Sequence, residues 1–412
     1  MKLEAVKKAK HDMEGLVLTT PLQKNINISE YFKATVCLKR EDLQTVRSYK
    51  IRGAYHKIKN LSQAQAMNGV VCASAGNHAQ GVALTCKLLN IRATVLMPIT
   101  TPSQKVNKVK QFGGEMVDVI LYGDTFDQAY DEAVRICKAN KAVFIHPFDD
   151  EKIIEGQATV GLEIYQAAHQ SIDYLFLPIG GGGLASGVSS VFKQLSPNTR
   201  LIGVEPKGAA SMQAAYKQHK PVRLKQIDRF VDGAAVQEVG KLTFQLCKEN
   251  LDQIVSVDEG KVCSTLLKLY NEDGIIVEPA GALSIAALEQ FKDEIKGKRV
   301  VCIVSGSNND ITRMEEIKER AMLYEGLKHY FVVKFPQRAG ALKEFVSDVL
   351  GPNDDISFFE YSKKTSREKG PATIGLELKS KDDLKAIMAK MKAKDFQFEY
   401  INEKQELLAL LI

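Results

Sequence analysis

Four consecutive glycines, Gly180, Gly181, Gly182 and Gly183, stand in LPIGGGGLASG between an apolar run and a helical pattern. Glycine lets backbone approach an anion closely, and the free N–H groups of a helix start favour negative charge. The segment therefore suits a phosphate or a carboxylate; its ordinary alternative is a packing turn. SAGNHAQG, from Ser74 to Gly81, is a second such junction. There Ser74, Ala75, Gly76 and Asn77 offer amides and small side chains to a carboxylate, and Asn77 adds a neutral donor. His78 offers a base or a metal ligand, but no second His or acid stands at ligand spacing, and a satisfied histidine at a helix start is the favoured reading. In IVSGSNND, Ser305 supplies a neutral hydroxyl after a strand, with a helix cap as the plain alternative. Lys50, in RSYKIRG, opens a fourth helical pattern, and Ser48 is expected to cap it. An amine near two anion-binding junctions suggests a carbonyl partner and Schiff-base chemistry.

Two other readings compete at the glycines. Gly181, Gly183 and Gly187 give G-x-G-x-x-x-G, and Glu205 ends the next apolar run, which imitates a dinucleotide site with the acid on a ribose. The third glycine falls one residue late. A P-loop is excluded, because Leu184 and Ala185 stand where its Lys and Ser are required. Glu278 in VEPAGA, beside Pro279, reads as helix capping and dipole matching.

The elements that must position these residues follow from hydrophobic periodicity. ATVCLKR, GVVCAS, RATVLMP, MVDVILYG, YLFLPIG, RLIGVEP and RVVCIVSGS are short apolar runs alternating with helical patterns, such as those from His78 to Leu89, Ser103 to Phe112 and Thr125 to Ala139. This alternation predicts α/β layers around mainly parallel sheets. Ligands of such sheets collect at the carboxyl ends of the strands, where all four junctions lie. After about residue 324 the pattern changes. HYFVVKFP, ISFFEYS, ATIGLELK and FQFEYI read as strands. ALKEFVSDVLG and LKAIMAKM read as helices, the first with Leu342, Phe345, Val346, Val349 and Leu350 on one face. That β-α-β-β-α-β order is ferredoxin-like α+β.

Composition narrows the function classes. The 412 residues are 45% hydrophobic and 26% charged, with a formal charge of only +6. No basic block interleaves with aromatics, so no nucleic-acid partner is expected. No apolar stretch is long enough to span a membrane, and none is expected to. Seven cysteines without C-x-x-C argue for reduced thiols and a cytoplasmic location. No metal site is expected.

Together KREDLQTVRSYKIRGA, SAGNHAQG, GGGGL, VEPAGA and SGSNND, in this order, resemble the threonine dehydratase family of pyridoxal-phosphate enzymes, which share the tryptophan-synthase-β-like fold (fold type II). The C-terminal unit resembles the ACT-like regulatory domain of its biosynthetic members. The resemblance implies a catalytic domain over 1–322, with a smaller lobe of about 40–145 inserted in a larger one, and an ACT-like domain over 325–412. It makes Lys50 the Schiff-base lysine and the base at the substrate's Cα. Asn77 would bond the cofactor's 3′-oxygen, and Gly180, Gly181, Gly182, Gly183 and Leu184 would cradle its phosphate. Ser305 would bond the pyridine nitrogen, and Ser74, Ala75, Gly76 and Asn77 would hold the substrate carboxylate.

The implied reaction is elimination from L-threonine to 2-oxobutanoate and ammonia, the first step of isoleucine biosynthesis. Isoleucine and valine are the implied effectors, and a homo-oligomer, a tetramer in the family, is the implied assembly. Alternatives are a serine dehydratase or racemase of the same fold, a nicotinamide oxidoreductase using Gly181, Gly183 and Glu205, and a non-catalytic amino-acid sensor. The sequence departs from the family at Thr45 and Tyr49, where proline and phenylalanine are usual. It also has Ser211 where relatives with a divalent cation carry an acid.

Overall fold

The computed structural model describes residues 1–361 and 369–408. The remaining parts of the expected ACT-like domain, including Ser362 at the end of ISFFEYS, lie outside the described residues. The chain forms two compact units, Met1–Asn309 and Asp310–Ile412.

The first unit holds two sheets. The larger has six strands in the order Leu22–Lys24, Thr35–Arg40, Arg299–Val304, Tyr174–Pro178, Arg200–Pro206 and Gln253–Val257. Only the first pair is antiparallel. The smaller sheet runs Val117–Leu121, Ala93–Met97, Val70–Ala73, Val143–Phe144, all parallel. Every residue of Tyr174–Pro178 and of Val70–Ala73 is buried, because helices cover both faces and leave no position for a polar side chain. Helix Asn77–Leu89 leaves the end of Val70–Ala73, and helix Gly183–Leu195 leaves the end of Tyr174–Pro178. The seven apolar runs of the sequence thus lie on these strands. The edge strand Gln253–Val257 is less continuous in hydrophobicity (QIVSV) and gives no such signal. All seven cysteines are free. Among the described residues no helix is long and apolar enough to cross a membrane.

Helix Lys50–Lys59 is anchored by a buried ionic cluster. Arg52 donates to both oxygens of Glu41 at 2.8 Å and to those of Glu163 at 2.7 and 2.8 Å. It also reaches Thr159 Oγ1 at 3.1 Å. Lys39 on the large sheet donates to Glu163 at 2.5 Å and to the Thr20 carbonyl at 2.7 Å. Burial pushes the Lys39 amine down, and Glu41 and Glu163 oppose that. Two cations face two carboxylates here, and every charge has directional partners, which a buried cluster requires.

The second unit is a four-stranded antiparallel sheet in the order Asp355–Tyr361, Lys369–Glu377, Lys328–Pro336, Gln397–Tyr400, with helix Asp383–Ala393. Phe331, Phe335, Phe345, Ile374, Leu376, Ile387 and Met391 fill its core. The expected single helix of ALKEFVSDVLG is instead one α-turn, Ala341–Glu344, followed by a π-helical turn, Phe345–Val349. The widened turn breaks the 3.6-residue stripe. Phe345 and Val349 stay buried, while Leu342 is 44% and Val346 45% exposed.

Arg52→Met leaves Glu41 and Glu163 buried with Lys39 as their only cation in the cluster. The first unit should lose about 3–5 kcal/mol, read as an earlier transition in urea.

Candidate active site

Lys50 begins its helix, and its backbone is set by a neighbouring strand end. The Tyr49 amide donates to the Ser305 carbonyl at 3.2 Å, and Ser48 bridges Gly306 in antiparallel fashion. This corrects the expected role of Ser48. The residue before the helix is Tyr49, with no side-chain cap, and the buried Ser48 Oγ has no hydrogen-bond partner among the described residues. The backbone bridge takes Ser48 into the interior, so its hydroxyl cannot turn back to the helix start.

Lys50 is half-buried as a residue, and its amine is desolvated by the protein around it. It donates to the Pro147 carbonyl at 2.8 Å and lies 5.3 Å from the Tyr49 ring centroid. Burial pushes its pKa down to about 8, against the opposing charge of Glu278. Glu278 is buried and accepts from Asn77 Nδ2 at 2.6 Å and from the Asn308 amide at 3.2 Å. Its carboxyl is pushed up to about 7, first by burial and then by Asp232. Pro279 does open a helix there, but the Glu278 side chain does not cap it. Glu278 is thus a site residue that its local sequence context disguises as helix chemistry.

Asn77 is fixed on both sides, since its Oδ1 also accepts from Asn308 Nδ2 at 2.7 Å. In the loop before it, the Ser74 amide donates to the Leu96 carbonyl at 3.1 Å and the Gly76 amide to Ser74 Oγ at 3.3 Å. A Cβ on Gly76 would meet nothing within 4 Å, so the loop borders open space. Ser74, Ala75, Gly76 and Asn77 are all partly accessible. His78 is buried, bonds the Ile145 carbonyl at 2.9 Å and is pushed down to about 3 by burial and by Lys50, so it is a neutral packing residue. Ser305 is buried at the end of Arg299–Val304 and donates to the Ala280 carbonyl at 3.1 Å.

The glycine loop is held from behind. A Cβ on Gly181 would lie 2.2 Å from the Phe148 ring, and Gly182 adopts φ +93°, open only to glycine without strain. Thr243 Oγ1 donates to the Gly181 carbonyl at 2.7 Å. The amides of Gly180, Gly181 and Gly182 make no hydrogen bond within the described residues. Gly183 and Leu184 open a helix, whose first amides have no intrahelical partner. Leu184 itself packs into the core beneath.

The dinucleotide alternative fails on geometry. Glu205 Oε1 and Oε2 accept from the amides of Met212 at 2.7 Å and Gln213 at 2.8 Å, and burial pushes the carboxyl up to about 8. It holds a helix start and is not available to a ribose. Gly187 lies against the Ala158 amide and the Ile154 carbonyl, where it lets two helices touch. Among the described residues no group of three or more His, Cys, Asp or Glu is arranged to hold a metal ion.

A segment that the sequence reading passed over joins the two halves of the site. His146–Pro147–Phe148–Asp149 brings the carbonyl under Lys50 and the ring behind the glycines. His146 Nδ1 accepts from the amides of Phe148 at 3.2 Å and Asp149 at 2.7 Å. Burial pushes His146 down to about 4, and the Lys50 charge acts in the same direction. Its signal, HPFDD, consists of backbone contacts that no periodicity reveals.

An amine acylates as its free base, so modification of Lys50 should rise with pH to a plateau, with its midpoint near the pKa of about 8. Exposed lysines should keep rising towards about 10.4. Glu278→Gln removes the charge that raises the Lys50 pKa and should move the midpoint to lower pH. Peptide mass spectrometry after limited acylation of the cofactor-free protein reads both.

Comparison with known proteins agrees with this geometry. The family profile described as "Pyridoxal-phosphate dependent enzyme" matches residues 13–306, and "C-terminal regulatory domain of Threonine dehydratase" matches residues 319–411. The chain is 54% identical over 412 residues to the biosynthetic L-threonine dehydratase of Halalkalibacterium halodurans, covering 100% of this chain and 99% of that one. It is 52% identical to the Bacillus subtilis protein of the same name, covering 100% and 98%. Among solved structures, the processed form of threonine deaminase isoform 2 from Solanum lycopersicum superposes with a TM-score of 0.73 at 39% identity, covering 78% of this chain and 94% of that one. Serine racemase from Dictyostelium discoideum gives 0.70 at 31%, covering 76% and 99%. Identity across the full length, in both the catalytic and the regulatory part, means that the chain belongs to the pyridoxal-phosphate-dependent enzymes, in the threonine dehydratase group that carries a C-terminal regulatory domain.

Proposed function

We propose that this protein is a threonine ammonia-lyase that converts L-threonine to 2-oxobutanoate and ammonia with pyridoxal phosphate, at the entry to isoleucine biosynthesis. The observation that carries the reading is the Lys50 amine, held at 2.8 Å by a carbonyl and brought down to about 8. Near neutral pH far more of such an amine is free base than of an ordinary lysine, whose pKa is about 10.4. Only the free base can attack a carbonyl carbon or take a proton from carbon.

The residues present fit the cofactor. Lys50 would bond its aldehyde carbon. The unpartnered amides of Gly180, Gly181 and Gly182, with those of Gly183 and Leu184, suit a phosphate dianion. Asn77 would meet its 3′-oxygen and Ser305 its ring nitrogen. Bound there, pyridoxal phosphate supplies an electron sink for the charge that develops at the substrate's Cα. The Ser74–Asn77 loop holds the substrate carboxylate, and the freed Lys50 amine removes the Cα proton. Loss of the β-hydroxyl as water leaves an enamine, which hydrolyses to 2-oxobutanoate and ammonia. Ser305, being neutral, does not keep the ring nitrogen protonated as a carboxylate would. A ring held there by Ser305 would be a weaker electron sink, which would suit elimination of a β-group better than transamination.

The functional domains are assigned as 1–322 for catalysis and 325–412 for regulation, with the smaller lobe at about 40–145. Isoleucine as inhibitor and valine as its antagonist are the assigned effectors, in a cytoplasmic homo-oligomer, a tetramer. The decisive assay is 2-oxobutanoate formation from L-threonine, with and without isoleucine. Turnover should appear, fall with isoleucine, and drop by at least about 10³-fold in Lys50→Ala, the scale of a lost general base. A higher kcat/KM for L-serine than for L-threonine would instead assign a serine dehydratase.

A further inference from the structure

Asp149 has no place in the chemistry above, yet it sits where the two halves of the site meet. Its Oδ1 accepts from the amides of Leu242 at 3.0 Å and Thr243 at 3.1 Å, and its Oδ2 from that of Lys241 at 3.0 Å. These are the first three residues of helix Lys241–Asn250, whose own preceding residue, Gly240, has no side chain with which to cap it. A carboxylate is thus delivered from about ninety residues upstream to a positive helix end. Gly240 is required for that delivery, since a Cβ there would lie 2.2 Å from the Asp149 carboxyl carbon.

The helix so capped carries Thr243, whose hydroxyl donates to the Gly181 carbonyl at 2.7 Å and whose side chain backs Gly182. In the other direction, Asp149 is one residue from Phe148, which packs behind Gly181 and Gly183, and two from Pro147, which holds the Lys50 amine. The next residue, Asp150, caps a different helix through the amides of Lys152 and Ile153 and pairs with Lys57 on the Lys50 helix at 2.7 Å. One loop therefore sets both the floor beneath the amine and the wall behind the glycines.

We propose that Asp149 is a positioning residue for the phosphate cradle: by clamping the start of helix Lys241–Asn250 it fixes the glycine loop relative to the Lys50 amine. This rests on the reading of Gly180–Gly183 as the site of the cofactor phosphate. A loosened clamp displaces the loop while Lys50 and Pro147 stay in contact. The loss therefore falls on recognition of the phosphate and not on reaction of the amine with the aldehyde.

The test titrates the full-length apoenzyme with pyridoxal phosphate and, separately, with pyridoxal, following the visible band of the bound form. The wild-type protein should bind pyridoxal phosphate far more tightly than pyridoxal. In Asp149→Ala the ratio of the two affinities should fall about tenfold, the scale of one lost N-terminal cap. Asp149→Asn, which keeps an acceptor oxygen, should restore most of it, and Gly240→Ala, which displaces the carboxylate, should reproduce the loss. General weakening of the fold lowers both affinities together and leaves the ratio alone. A wild-type ratio in Asp149→Ala overturns the proposal. If that variant does not fold, a wild-type ratio in Gly240→Ala overturns it equally. A wild-type protein that does not distinguish the two probes overturns the cradle reading itself, and the proposal with it.

Discussion

A primary amine withdrawn from water beside a buried carboxylate is the constraint around which this molecule is arranged. Burial alone drives the Lys50 amine towards neutrality, and Glu278 alone would hold it charged. The balance leaves it near 8, where both forms are populated around neutral pH. Glu278 is balanced in its turn. Burial and Asp232 push its carboxyl up, and the Asn77 side chain and Asn308 amide hold it down. Neither group keeps its balance if the backbone around it shifts, because the charge-charge energy and the burial cost both depend steeply on position.

The fold meets that requirement by fastening the Lys50 helix at both ends. At its start, the end of strand Arg299–Val304 supplies Ser305 and Gly306 as backbone partners for Tyr49 and Ser48. Within that first turn Arg52 is locked between Glu41 and Glu163, and towards the other end Lys57 reaches Asp150. The buried ions contribute little net stability compared with an apolar core of the same volume. Their directional bonds do fix the rotation of the helix, and hence where the Lys50 side chain leaves it. Stability is left to the apolar sheets, and geometry to the ions.

What could be read from the residues alone follows the same division. The strands were legible because helices on both faces force continuous apolar runs, and the glycine loop because only glycine tolerates Phe148 behind Gly181 and φ +93° at Gly182. Lys50 was legible only through the company of motifs around it, since one lysine among 56 Lys and Arg residues carries no signal. Glu278 was hidden by distance, because its partner Asn77 lies 201 residues away and Glu-Pro reads locally as a helix start. Ser48 misled for a similar reason: its local context is that of a cap, and a non-local bridge to Gly306 overrides it. The π-turn at Phe345–Val349 escaped because it is a departure from the very periodicity used to find helices.

The cradle's chemistry bears back on the amine. The side chains nearest the glycine loop include Phe148, Thr243, Met212 and Cys247, none of them a guanidinium or ammonium, and the loop offers backbone amides in their place. A cation fixed there would bind phosphate as well, but it would also repel the Lys50 ammonium and push the amine pKa below the point set by burial and Glu278. It would also stand as a permanent charge with no partner whenever the phosphate is absent. Amides avoid both costs, because their dipoles act at short range. Their accuracy then depends wholly on the backbone, since a dipole a fraction of an ångström out of line holds an anion poorly. That is why so much of the surrounding structure is devoted to holding the loop from behind: Phe148, Thr243 and the helix that carries it.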